Sequence, residues 1–206
     1  TIRRETGVPP GRILFLEHHL SHAASAYYCS GFPEAAVVTV DGVGEWTTAA
    51  IGVGRGPRLS LLRELRFPHS LGLFYSTFTA FLGFEVNEGE QKVMGLAAWG
   101  TPRYREDLAR LLRLRPDGSF QLDLAAFTFH RSPDRAYGAA LVSAFGPPRE
   151  PGLPFTLDPA DGDLARRNRH YADLAASLQA VTEETMLAIV REALRLTGQT
   201  RLCLAG

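Results

Sequence analysis

The 206 residues carry 22 basic and 22 acidic side chains and are 45% hydrophobic, which suits one large globular α/β domain or part of a larger one. Zero net charge provides no long-range field to draw in nucleic acid or an anionic membrane, so neither is expected as a partner. No run approaches the ~20 apolar residues that span a bilayer, no basic-then-apolar leader opens the chain, and Cys29 and Cys203 form no C-x-x-C pair, so free thiols in a reducing cytoplasm are expected.

In chain order, "RILFL" at 12–16 predicts a short buried strand, and "HHLSHAASAYYCS" predicts a helix from His18 to about Ser30, ended by Gly31 and Pro33. "AAVVTVD", 35–41, predicts a Val-rich strand. "GVGE" then predicts a turn into a second strand, "WTTAAIGVG", making a hairpin. "RLSLLRELRF", 58–67, extends this as a third antiparallel strand. A buried helix is expected from about Ser70 to Leu82, because its apolar and aromatic residues recur too densely for a surface helix. Phe74, Tyr75, Phe78, Phe81 and Phe84 are expected in the core. Residues 83–100 read as a loop entering a helix, and 102–114 as another helix. "RPDGSFQLDL" reads as an Asp-Gly turn into a strand. Residues 128–162 are rich in Pro, Gly and Asp, which predicts an irregular surface connection. A long helix from about Gly162 to Thr197 and a strand at 201–205 complete the pattern, and the two chain ends read as cuts from a longer protein.

Residues four apart on a helix share a face, so His18 and His22 can offer two imidazoles to one ion while His19 points elsewhere. A carboxylate would complete a two-histidine, one-carboxylate face with positions left open for substrate. Asp41 ends the next strand, where a helix running back along the sheet would bring it close to the start of the histidine helix. The competing reading is a polar helix face that binds nothing. Gly42 and Gly44 free the backbone to expose N–H groups to a phosphate oxygen, and Asp-Gly is equally a common hairpin turn. Lys92, beside Gly95, could reach a phosphate or could pair with Glu88 or Glu90 on the surface. His69, His130 and His170 have no partner motif.

Taken in order, "HHLSHAASAYYCSGF", "VTVDGVGEWTT", "SLGLFYSTFTAFLGF" and "EGEQKVMGLAAWG" resemble the O-carbamoyltransferases of the NodU/CmcH type over about residues 17–100. The resemblance is looser between 101 and 200. It implies an actin/Hsp70-like (ribonuclease H-like) ATPase fold, incomplete at both ends. It also implies a divalent metal, iron or alternatively zinc or manganese, on His18, His22 and Asp41. Nucleotide phosphate would lie beside Asp41, Gly42, Gly44 and Lys92. The implied chemistry converts carbamoyl phosphate and ATP, with Mg²⁺, into carbamoyl adenylate, and then passes the carbamoyl group to a hydroxyl of a small molecule or saccharide. His19, left free by this assignment, is the candidate base for that hydroxyl. On this reading catalysis needs the rest of the parent chain. The alternatives are a relative that makes threonylcarbamoyladenosine on tRNA, a hydrogenase-maturation relative, and a non-catalytic, metal-stabilised interaction domain.

Overall fold

The computed structural model describes residues 2–132 and 136–206. A short helix, α1 (Ile2–Thr6), and a 3₁₀ turn at Pro10–Arg12 precede α2 (His18–Cys29). Three strands follow, β1 (Glu34–Gly44), β2 (Thr47–Arg55) and β3 (Arg58–Arg66), each antiparallel to the one before. Next come α3 (Leu71–Phe81), α4 (Glu90–Ala97), α5 (Arg105–Leu111) and a small hairpin of β4 (Leu112–Leu114) with β5 (Phe120–Leu122). After α6 (Ala139–Phe145), the 35-residue α7 (Asp163–Thr197) leads to β6 (Leu202–Ala205). This last strand lies parallel to β1, so the order β3-β2-β1-β6 makes a mixed sheet in an α/β chain.

Side chains alternate across a strand, so β1, buried on both faces, enters two cores. Ala35 and Val37 meet Ala23 and Tyr27 of α2 and Cys203 of β6. Ala36 and Val38 meet Phe74 and Phe78 of α3 and Leu174 and Leu178 of α7. The sheet is therefore sandwiched between α2 on one side and α3 with α7 on the other. Ser70 caps α3 by accepting the Leu73 N–H, and Gly198, left-handed at φ 66°, ends α7 with its N–H on the Leu194 carbonyl. Phe74, Phe78 and Phe81 are fully buried, and Tyr75 and Phe84 pack against the same cluster, as their density predicts.

Four expectations are corrected. The predicted strand at 12–16 has no ladder partner among the described residues, and Leu14, Phe15 and Leu16 are 88%, 86% and 66% exposed. An apolar run becomes a strand only beside another strand, and this segment pairs with neither edge of the sheet, β3 or β6. The hairpin turn falls at Glu45 and Trp46, not across Gly42–Glu45, because β1 continues to Gly44 through a register shift after Val40. Such a bulge leaves Asp41 and Gly42 free of the ladder. The helix expected over 102–114 stops at Leu111, where the chain turns into β4. The stretch 128–162 contains α6, which buries Leu141 and Phe145, so it is not wholly a surface connection; 133–135 lie outside the described residues. Cys29 is exposed and Cys203 buried, both as free thiols.

Candidate metal centre

α2 begins abruptly because Glu17 caps it, its carboxylate accepting the backbone N–H groups of His19 and Leu20. That start places His18 in the first turn and His22 one turn later. His19, Ala23 and Tyr27 form the stripe buried against the sheet, so His18 and His22 stand one position around the helix, at the edge of that contact. Across from them the bulge of β1 delivers Asp41.

The three side chains meet. His18 Nε2 lies 2.6 Å from Asp41 Oδ2, His22 Nε2 lies 3.3 Å from the same oxygen, and the two imidazole nitrogens are 3.0 Å apart. Donors each ~2.1 Å from one ion sit roughly 3.0–3.4 Å apart at octahedral or tetrahedral angles, so an ion fits this trio with a small opening of the His18–Asp41 contact. Side-chain exposures of 42%, 33% and 29% for His18, His22 and Asp41 leave one side of the trio open to solvent. Among the described residues this is the group of three histidine, cysteine or acidic side chains that could hold a metal. Two imidazoles and one carboxylate suit iron, zinc or manganese.

Burial alone would raise the carboxyl pKa of Asp41. The hydrogen bond with His18, the Gly42 N–H and the two nearby imidazoles outweigh it, so the group sits below the ordinary aspartate value. Asp41 thus presents the anionic form that a metal requires. Its second oxygen, Oδ1, accepts the Gly42 N–H at 2.6 Å, which fixes the direction of Oδ2.

Gly44 has a steric duty here, since a Cβ at that position would lie 2.1 Å from the His18 ring. Gly72 has a similar one: a Cβ there would lie 2.8 Å from the Asp41 carbonyl oxygen and the Gly42 nitrogen. Ser70, fully buried, donates to the Gly42 carbonyl at 2.6 Å while capping α3. Sequence patterns missed Ser70 and Gly72 as parts of the site, although a serine immediately before a Phe-rich helix is a recognisable cap. Lys92 is exposed on α4, and no ion pair joins it to Glu88, Glu90 or the trio among the described residues. Glu90 instead accepts from Ser76 Oγ and the Asn87 N–H.

His19 does not sit where the sequence expectation of a base needs it. Its ring is fully buried, with Nδ1 2.7 Å from Thr39 Oγ1 and Nε2 2.9 Å from the Thr47 carbonyl. A carbonyl only accepts, so Nε2 carries the proton and Nδ1 receives the Thr39 hydroxyl proton. Neither nitrogen is free to take a proton from a substrate hydroxyl. Two further histidines are also structural: His69 Nδ1 accepts the Leu122 N–H, and His170 links Tyr104 OH to the Phe145 carbonyl.

Comparison with known proteins adds a family. The family model described as the carbamoyltransferase N-terminus matches residues 8–206. The chain is 43% identical to an uncharacterised protein of Synechocystis sp. (sll1178), over 97% of this chain and 30% of that protein. It is 35% identical to the nodulation protein NolNO of Sinorhizobium fredii, over 98% of this chain and 26% of the relative. It is also 35% identical to the nodulation protein NolO of Bradyrhizobium diazoefficiens, over 93% of this chain and 31% of the relative. The chain therefore spans less than a third of the length of these relatives.

Proposed function

The chain belongs to the family of carbamoyltransferase N-terminal domains, and from that premise we propose that it carries a metal-assisted site for carbamoyl transfer to an acceptor hydroxyl. The observation that carries this reading is the convergence of His18 Nε2, His22 Nε2 and Asp41 Oδ2 within 3.3 Å. His18, His22 and Asp41 hold the ion, with iron as the first choice and zinc or manganese as alternatives. A bound divalent metal supplies Lewis acidity, stabilising negative charge that develops on the carbamoyl or phosphate oxygens.

The chain's own residues orient and space this site. Asp41 stays ionised, and Gly42 anchors its second oxygen. Gly44 clears room for the His18 ring. Solvent reaches the side of the trio away from the sheet, which is where the acceptor hydroxyl and the activated carbamoyl donor would approach.

The donor in this reading is carbamoyl adenylate made from carbamoyl phosphate and ATP with Mg²⁺, and the enclosing fold is of the actin/Hsp70-like ATPase type. Lys92 and the Asp41-Gly42-x-Gly44 stretch are assigned to nucleotide phosphate. The acceptor is a hydroxyl-bearing small molecule or saccharide, in keeping with the nodulation relatives, and the remaining domains of a longer parent chain complete the reaction.

Anaerobic equilibrium dialysis of the purified chain against Fe²⁺, Zn²⁺ and Mn²⁺, with elemental analysis, tests the metal assignment. The expected result is about one equivalent bound by the wild type and a large loss in His18→Ala and His22→Ala. Binding that survives both substitutions unchanged would place the ion elsewhere. Carbamoylation of a hydroxyl acceptor by the full-length parent, abolished by the same substitutions, tests the activity.

A further inference from the structure

Helix α2 is fixed specifically near its two ends. Towards its carboxyl end, the Tyr27 hydroxyl bonds to the carbonyls of Pro33 and Gly56. Towards its amino end, beneath the half-exposed contacts of His18 and His22 with Asp41, the buried anchor to the sheet is His19, between two strands: Thr39 of β1 on one nitrogen, the Thr47 carbonyl of β2 on the other. Ala23, between these anchors, offers only apolar contact.

The partners of His19 are close in sequence to the other parts of the site. Thr39 lies two residues before Asp41. Thr47 pairs with Gly44 across the hairpin, and Gly44 is the residue against which the His18 ring rests. The His19 ring itself stands beside both ligand rings, with centroids 5.7 Å from His18 and 6.2 Å from His22. One buried imidazole thus ties the helix bearing two ligands to the strand bearing the third and to the hairpin that seats the first.

We propose that His19 is a positioning residue that sets the rotation and height of α2, and so the common point of His18, His22 and Asp41. This rests on the metal reading above. A ligand nitrogen stands well outside the ~2.3 Å radius of the Cα cylinder, so turning the helix by about 10° moves it by roughly 1 Å. Metal–ligand distances tolerate only about 0.2 Å. Buried groups that orient ligands typically change metal affinity by about 10–100-fold when lost.

The test uses Co²⁺ as the probe, read both as affinity and as visible absorption, which reports coordination geometry. His19→Ala is expected to weaken Co²⁺ binding by at least about tenfold and to alter the spectrum. His19→Gln should recover part of both, because its amide can still donate to the Thr47 carbonyl. Thr39→Val removes the Nδ1 partner while leaving His19 in place, and it should shift the spectrum even if His19→Ala fails to fold. Thermal midpoints without metal separate a general loss of stability from a loss of geometry. Wild-type affinity and an unchanged spectrum in Thr39→Val and in folded His19→Ala overturn the proposal. Failure of the wild type itself to bind Co²⁺ overturns the metal reading, and this inference with it.

Discussion

The ring of His18 fills the space that any side chain at Gly44 would need: a Cβ there would lie 2.1, 2.5 and 2.9 Å from three successive atoms of that histidine. The last is the His18 Cβ, so a new rotamer about χ1 cannot relieve the overlap. Gly44→Ala should therefore push the whole residue away from Asp41 and weaken metal binding by on the order of tenfold. The β1–β2 pairing at Glu34–Val40 and Ala49–Arg55 is remote from the change, so far-UV circular dichroism should stay as in the wild type. Calorimetric titration with Zn²⁺ measures the first effect, and equal affinity would show that His18 has another way to reach the ion.

Asp41 gives the chain an acid-sensitive component. Burial acts to raise its carboxyl pKa, and the His18 hydrogen bond, the Gly42 N–H and the two imidazoles bring it below the ordinary value. A group whose pKa is lower in the folded state stabilises fully above its unfolded-state value of about 3.9, and that contribution disappears as pH falls through the folded-state value. Urea unfolding of metal-free protein between about pH 3 and 6 should accordingly show the wild type and Asp41→Asn converging in stability towards the acid end. A gap between them that stays constant with pH would mean that the ionised carboxylate contributes nothing.

Ser70 acts on two elements at once. Its hydroxyl accepts the Leu73 N–H at the start of α3 and donates to the Gly42 carbonyl, and the residue has no exposure. Ser70→Ala leaves both groups without that partner, at a cost of about 1–2 kcal/mol from the lost cap and the unsatisfied carbonyl. The midpoint of urea unfolding reads this directly. Metal affinity should also fall, since the Gly42 carbonyl belongs to the bulge that aims Asp41.

Much of this site could be read before any coordinates. The His18/His22 spacing is a local pattern, and helix geometry converts it directly into a shared face; Asp41, expected at a strand end, lies instead in the bulge of a strand that continues to Gly44. The buried α3 and the long α7 were legible for the same reason, their apolar residues recurring at helical spacing. What failed depended on distant partners. "RILFL" has strand composition, yet strand formation needs a neighbour, and the segment lies along neither edge strand of the sheet, β3 or β6. Similarly, helical spacing turns His19 away from His18 and His22 but does not say what it meets. Only the approach of Thr39 and Thr47 decides that it is buried and doubly bonded. The bulge after Val40, which moves the hairpin turn from Gly42 to Glu45, is likewise set by pairing with β2.

Two helical glycines provide a paired test in which packing alone decides the sign. Gly95, inside α4, has nothing within 4 Å of where a Cβ would stand, so Gly95→Ala should gain the ordinary helix-propensity advantage of about 1 kcal/mol. In a domain of this size that raises the thermal midpoint by about 2–4 °C. Gly72, in the first turn of α3, faces the Asp41 carbonyl oxygen and the Gly42 nitrogen at 2.8 Å. These are backbone atoms that cannot swing aside, so Gly72→Ala must displace either the helix start or the bulge carrying Asp41. It should lower the thermal midpoint despite the same propensity gain, and it should weaken metal binding, which Gly95→Ala should leave unchanged. Calorimetry of both variants with and without Zn²⁺ separates the two effects. A stabilised Gly72→Ala with wild-type affinity would mean that α3 does not brace the Asp41 turn.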